Sequence, residues 1–212
     1  FKSQNRNENA SSELLFLAIE FLLVGKCQEA KDSVKASLEL FRGSSMANAA
    51  IIYGACNDAS QAETLLEDVR KIQPKNTILS SIYVPMIRAA IEKSRGNAPE
   101  AMKLLESVRS YDRSRVIGLG TTYVRANLYL QQRMGNEAAA EFKKIVDNPG
   151  LGVFSPVHAL AHLGLGRAAA LNGDTAGARK AYQDFFALWK DADQDLPVLV
   201  QARKEYEQLK KL

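Results

Sequence analysis

The chain has 212 residues, 46% hydrophobic and 25% charged, with a formal net charge of +4. That is enough length and apolar content to bury a continuous core. Lys and Arg are scattered and aromatics make up only 8%, which leaves no basic-aromatic stripe for single-stranded nucleic acid. The longest apolar run, 14–24, is eleven residues broken only by Glu20, whereas a membrane span needs roughly 20. The chain opens on the polar stretch Phe1-Lys-Ser-Gln-Asn-Arg-Asn-Glu with no initiator Met. It reads as part of something longer, with 1–10 as a flexible lead and any addressing signal elsewhere.

Five helical hairpins follow in order. The first has Leu14-x-x-Leu17-Ala18-x-x-Phe21, a turn at Gly25-Lys26, then Ala30-x-x-x-Val34. The second has Met46-x-x-Ala49-Ala50-x-x-Tyr53, a turn at Asn57-Asp58, then Ala62-x-x-x-Leu66, and Pro74 closes it. In the third come Ala89, a Gly96-Asn97 turn, Pro99 opening the next helix, and Ala101-x-x-x-Leu105. The fourth has Ala126-x-x-Tyr129, a turn at Gly135-Asn136, and Ala138-x-x-x-Phe142. The fifth is the clearest: His162-x-x-Leu165-Gly166-x-x-Ala169, a Gly173-Asp174 turn, then Ala178-x-x-x-Tyr182. After it, Pro197 starts a last helix with a polar outer face at Lys204, Glu207, Lys210 and Lys211, as a capping helix requires.

The recurring phrase resembles the tetratricopeptide pattern W-x₂-L-G-x₂-Y…A-x₃-F. Its small residues (Ala18, Ala30, Ala50, Ala62, Ala89, Ala101, Ala126, Ala138, Gly166, Ala178) let helices approach closely. The apolar residue four on, Tyr182 in the fifth copy, fills the groove beside them. The second-helix anchors fall 32 to 40 residues apart, against a usual period of 34, so the linkers have diverged. The longest irregular connection is expected at 147–156. The third copy has charge at Arg88 and Glu92, and Pro85 inside its first helix predicts a kink. The expected fold is an all-α, right-handed α-solenoid of about five such hairpins plus a capping helix, one domain over 11–212.

Cys27 and Cys56 form no CxxC and no metal-ligand spacing. They read either as two small half-buried residues or as a disulfide. Cys27 starts one hairpin's second helix and Cys56 ends the next hairpin's first helix, and those ends share an edge of a stacked array. Residues 14–24 are apolar on nearly every face, as in a helix buried all round. That predicts a further helix in front of them, a second copy docked there as a homodimer, or contact with a membrane surface.

No catalytic constellation is present, and no cofactor is expected. His158 and His162 have the i,i+4 spacing that chelates a metal, but Ala-Leu-Ala lies between them and no third ligand is evident; a packing role is expected. Asp191, Asp193 and Asp195 begin like a calcium loop, but Leu196 stands where Gly is required and Ala202 where Glu is. They are expected to cap the last helix. Gly164-Leu-Gly166 lies inside a helix, so there is no dinucleotide fingerprint, and no P-loop or kinase motif occurs.

In tetratricopeptide arrays the first helix of each hairpin lines the concave side. The positions expected there are Leu15 and Ile19, Ala47 and Ile51, Met86 and Ala90, Tyr123 and Asn127, Leu163 and Arg167. Most are aliphatic, and few cations join them: Arg167, with Lys93 and Arg125 at the margin. A carboxylate-capturing groove needs several, so the expected partner is an apolar or amphipathic protein segment, or else these residues pack on one another.

The last third carries a closer likeness. Tyr123-Val-Arg-Ala-Asn-Leu-Tyr-Leu, Ala138-Ala-Ala-Glu-Phe-Lys-Lys-Ile, His158-Ala-Leu-Ala-His-Leu-Gly-Leu-Gly-Arg-Ala, Gly173-Asp-Thr-Ala-Gly-Ala-Arg-Lys-Ala-Tyr and Asp195-Leu-Pro-Val-Leu follow in order. Together they resemble the C-terminal tetratricopeptide region of multidomain bacterial serine/threonine protein kinases, acidobacterial ones especially. The resemblance is specific over 121–212 and repeat-level before it. It implies a sensory or docking region of a membrane-anchored protein, the kinase domain lying upstream and the side of the membrane left open. Similar repeats follow winged-helix domains in bacterial regulators, which gives the alternative context. No catalytic residue carries over.

Overall fold

The structure, a computed structural model, describes residues 2–43, 45–112, 114, 119–151 and 155–211. Among them there is no strand. The helices are α1 (Lys2–Leu23), α2 (Cys27–Leu40), α3 (Ser45–Ala55), α4 (Ala59–Ile72), α5 (Val84–Ser94) and α6 (Ala98–Glu106), then α7 (Gly120–Gln131), α8 (Gly135–Val146), α9 (Val157–Leu171), α10 (Thr175–Leu188) and α11 (Pro197–Leu209). Consecutive pairs from α1 to α10 form the five hairpins. Helix α1 includes residues expected as a flexible lead: no Gly or Pro interrupts 2–23, so the helix runs back from its apolar half to Lys2.

All five hairpins turn by the same backbone device. The residue two before the second helix has positive φ: Gly25, Asn57, Gly96, Arg133 and Gly173. The next residue's N–H reaches back five residues, Lys26 to Phe21 O at 2.8 Å, Asp58 to Tyr53 O at 2.9 Å, Asn97 to Glu92 O at 2.9 Å, Met134 to Tyr129 O at 2.9 Å and Asp174 to Ala169 O at 3.0 Å. That is the Schellman closure, which satisfies the last carbonyls of the first helix. Asp58, Asn97 and Asp174 then cap the second helix, accepting from the N–H groups of Gln61, Glu100 and Gly177. In the fourth hairpin the turn lies two residues earlier than Gly135-Asn136: Arg133 takes the left-handed position, at φ 58°. Gly135 has another task. A Cβ there would stand 2.2 Å from Asn172 Oδ1 and 3.0 Å from Ala168 O, so glycine lets the start of α8 reach the end of α9.

The chain divides into two compact units, Phe1–Val108 and Arg109–Leu212, where the repeat spacing predicts one domain. The division falls between α6, which ends at Glu106, and α7, which begins at Gly120. In unit 1 the first helices lie side by side, α1 on α3 and α3 on α5. Ala18, Ala30, Ala49, Ala50 and Ala62 have no exposed surface, with Val34, Ile52 and Ile87 packed into the space they leave. Ser11, Ser37 and Ser45 are also buried; the Ser11 hydroxyl shares hydrogen bonds with Ser37 Oγ at 2.8 Å and Ser45 Oγ at 2.7 Å, joining α1, α2 and α3. Cys27 and Cys56 are joined by a disulfide, with 5.6 Å between Cα atoms. Instead of a kink inside α5, a π-turn at Leu79–Tyr83 precedes Pro85. The N–H of Val84 bonds to Leu79 O, five residues back; the wider turn leads into a proline at the start of α5, where its missing N–H costs little.

In unit 2, Ala126, Ala138, Ala178 and Gly166 are buried, as are Tyr182, Phe142 and Phe185. A Cβ on Gly164 would stand 2.3 Å from the Phe142 ring, and one on Gly166 2.8 Å from the Tyr182 ring. Each glycine is thus the seat of an aromatic from the neighbouring helix. An aromatic cluster seats α11: Phe185 lies 5.0 Å from Trp189, Phe186 5.5 Å from Tyr206 and Tyr182 5.9 Å from Tyr206, centroid to centroid. Leu199, Ala202 and Leu209 of α11 are buried while Lys204, Glu207, Lys210 and Lys211 are exposed. The aspartates do not cap it: its N-cap is Leu196, without a side-chain cap bond, and Pro197 starts the helix.

Candidate binding faces

In unit 1 a groove of about 170 Å³ opens on the row of first helices. It is lined by Ser12, Leu15, Phe16 and Ile19 of α1, Ser45 and Asn48 of α3, and Tyr83 of the π-turn. None of the seven is charged, in a chain one-quarter charged. Phe16 is 64% exposed, an unusual position for so large an apolar ring. Burial pushes the Tyr83 phenol up, and a hydrogen bond with Asn48 opposes that shift, so the floor carries one neutral donor-acceptor pair. Of the residues expected here, Leu15 and Ile19 line the groove. Ile51 is half-buried against the core, Ala47 and Ala90 are buried, and Met86 is half-buried outside the groove.

The sequence pattern misses Phe16, Asn48 and Tyr83. A helix apolar on nearly every side gives no phase, so Phe16 could not be assigned a face. Tyr83 is placed by the π-turn, which shifts the register ahead of Pro85.

In unit 2 the expected inner residues are engaged with one another. Leu163 is 1% exposed and belongs to the core. Tyr123 packs edge-on against Phe142 at 6.0 Å, and burial pushes its phenol up. Asn127 Nδ2 donates to Tyr123 O at 2.8 Å, in its own helix. The Arg167 guanidinium is held in a two-toothed ion pair by Glu205 of α11, Nε donating to Oε2 at 2.9 Å and Nη2 to Oε1 at 3.2 Å. Tyr182 OH donates to the same carboxylate at 2.8 Å, and Gln201 Nε2 at 3.0 Å. Burial pushes the Glu205 carboxyl up, but Arg167 and these donors outweigh it and hold it below the usual carboxylate range.

Arg125, placed at the margin of this face by the repeat register, is 0% exposed. It pairs with Asp112 and, at 3.4 Å, with Glu141. Glu141 also accepts from Arg109 at 2.8 Å and Lys144 at 2.6 Å, while Thr121 donates to Asp112 at 2.7 Å. This is a structural charge cluster turned into the fourth hairpin.

Two further concavities lie off the rows of first helices. One, between α4, α5 and α6, carries mixed charge, with Arg95 held by Glu63 at 2.7 Å and Glu92 at 3.2 Å. The other holds His162 with Lys180 and Asp184. His158 and His162 sit ring to ring at 5.2 Å, and burial, with the neighbouring His158, holds the His162 imidazole below its usual value. Among the described residues, no group of three metal-ligating side chains comes together. None of the helices among the described residues is long and apolar enough to cross a membrane.

No family model and no curated protein matches this chain. A solved structure does: a tetratricopeptide repeat protein from Parabacteroides merdae, with a TM-score of 0.54 and 16% identity, covering 96% of this chain and 74% of that one. The fold is therefore that of a tetratricopeptide-type α-solenoid. At that identity the likeness speaks to fold alone.

Proposed function

We propose that this chain is a non-catalytic recognition array whose working surface is the uncharged groove of unit 1. The observation that carries the reading is the groove's lining: Phe16 and Ile19 form an exposed apolar rim above buried Leu15, with neutral hydrogen-bonding groups at Asn48 and Tyr83. Its volume suits a single large side chain. The matching ligand is an apolar or amphipathic segment of another protein that inserts one aliphatic or aromatic anchor. A charged segment would give up water there for nothing in return. The tetratricopeptide fold supports a protein partner, since such arrays act through extended surfaces of this kind.

The wider context rests on the sequence resemblance over 121–212. It supports the docking or sensory region of a membrane-anchored bacterial serine/threonine kinase, with the effector half of a winged-helix regulator as the alternative. The coding sequence upstream separates the two.

The direct test is binding of the chain to a proteome-derived peptide library, with Phe16→Glu/Ile19→Glu and Tyr123→Ala/Asn127→Ala as paired variants. Apolar-anchored peptides should bind wild type and the second variant, and lose at least about tenfold in affinity with the first. Peptides lost only with the unit 2 variant would move the site; no binder together with a monomer in sedimentation would sink the reading. A wild-type dimer that Phe16→Glu dissociates would identify the occupant as a second copy.

A further inference from the structure

The disulfide carries information that the binding face does not. The whole chain holds two cysteines, and the fold brings this pair together across 29 residues. Cys27 is the first residue of α2, and Cys56 follows the end of α3. Both positions are fixed by turns closed independently of the bond, with Lys26 N–H on Phe21 O at 2.8 Å and Cys56 N–H on Ile52 O at 2.9 Å. Their Cα separation of 5.6 Å lies within the range of ordinary disulfides. With no third thiol in the chain, the pair has no alternative intramolecular partner.

The bond ties α2 to α3, and so the first hairpin to the second. Helix α1 packs chiefly on α2 and α3, and Phe16 and Leu17 remain exposed on it. The ion pairs of unit 1, such as Arg42 with Asp68 and Arg95 with Glu63, are on the surface, where they contribute little. A bond from α2 to α3 therefore holds the first hairpin, and with it the α1 wall of the groove, against the second.

We propose that Cys27–Cys56 is a structural disulfide of the native protein and that the array is built for an oxidising compartment rather than the reducing cytosol. Formation removes two electrons and two protons from the two thiols. They pass to a disulfide-exchange oxidant: one cysteine thiolate attacks its disulfide, and the second thiolate attacks the resulting mixed disulfide and releases the oxidant as a dithiol. In a reducing compartment the pair stays as thiols and the first hairpin is held by packing and by the buried Ser11, Ser37 and Ser45 hydrogen bonds. The inference stands apart from what the groove binds.

The test has two arms. In cells that make the protein, thiols are trapped by acid quench and alkylation and the chain is weighed. Neither cysteine should be alkylated; two alkylated cysteines would overturn the compartment assignment. On the purified chain, amide exchange is followed with and without a phosphine reductant. Opening of α1 and α2 should rise roughly 10²–10³-fold on reduction, with exchange in α9 and α10 unchanged. Equal exchange in both states would overturn the structural role. The Cys27→Ser/Cys56→Ser chain should exchange like reduced wild type; if it does not fold, reduced wild type supplies the measurement.

Discussion

Unit 1 holds its polar interior in neutral and covalent form: three buried serine hydroxyls and a disulfide between adjacent hairpins. Unit 2 holds its interior with charge. Arg125 sits at 0% exposure between Asp112 and Glu141, and Arg167 is gripped by Glu205 from the capping helix. The inner faces differ accordingly. An ionic device that reaches across from α11 uses up the polar groups of one face, whereas Phe16 and Ile19 stay exposed on the other. One hairpin template thus gives a surface whose polar groups are paired and a surface whose apolar side chains are exposed.

The contrast breaks most visibly at Arg125. Replacing it by Met leaves Asp112 and Glu141 partly buried without their central cation. Removing one member of a buried ion pair costs about 3–5 kcal/mol. Arg125→Met should therefore unfold unit 2 selectively, read as amide protection lost in α7 and α8 and kept in α3 and α4. Loss spread equally over both units would show that they do not differ in this way.

Glu205 gives the next effect. Glu205→Gln keeps the shape and removes the charge facing Arg167, at a cost of roughly 1–3 kcal/mol. Acid should do the same to wild type. Glu141 and Glu205 are both held below the usual carboxylate range in the fold, their cations outweighing burial. Their contribution is complete above the unfolded value near 4.3 and is lost as pH falls through the lower folded values. Unit 2 should loosen below about pH 4 while the groove of unit 1, lined by no carboxylate, keeps its shape. Simultaneous loosening of α1 and α9 in an acid titration followed by amide exchange would refute the division. Gly164→Ala belongs to the same range: it drives a methyl into the Phe142 ring and should lower the melting temperature of unit 2 by overpacking, about 1–3 kcal/mol.

The hairpins were legible in the sequence because their signals are local. A small residue at Ala50 or Gly166, an apolar one three or four places away, and the Asn57 or Gly173 before the second helix all fall within about two turns of each other. What the sequence hid is long-range or depends on phase. Arg125 finds Asp112 and Glu141 at separations of 13 and 16 residues, and Arg167 finds Glu205 38 residues on; no repeat motif encodes either pairing. Helix α1 offers apolar residues on every side, so its exposed face is decided by where α2 and α3 pack. The disulfide lies between these cases: repeat geometry brings Cys27 and Cys56 to one edge, and only the fold shows them joined.

The smallest effect tests the device common to both units. Arg133 holds the left-handed position that Gly25, Asn57, Gly96 and Gly173 fill in the other hairpins, at φ 58°. An L-residue with a Cβ pays about 1 kcal/mol there, and it is paid where the N–H of Met134 must still close on Tyr129 O at 2.9 Å. Arg133→Gly relieves that strain but gives the unfolded chain more freedom, which offsets part of the gain. The balance should stabilise unit 2 by at most a few tenths of a kcal/mol, seen as a small rise in denaturant midpoint at unchanged slope. Gly173→Ala makes the opposite change at the equivalent position and should lower the midpoint by a similar amount. If both substitutions move it in the same direction, the turns are held by their neighbours and not by the left-handed residue.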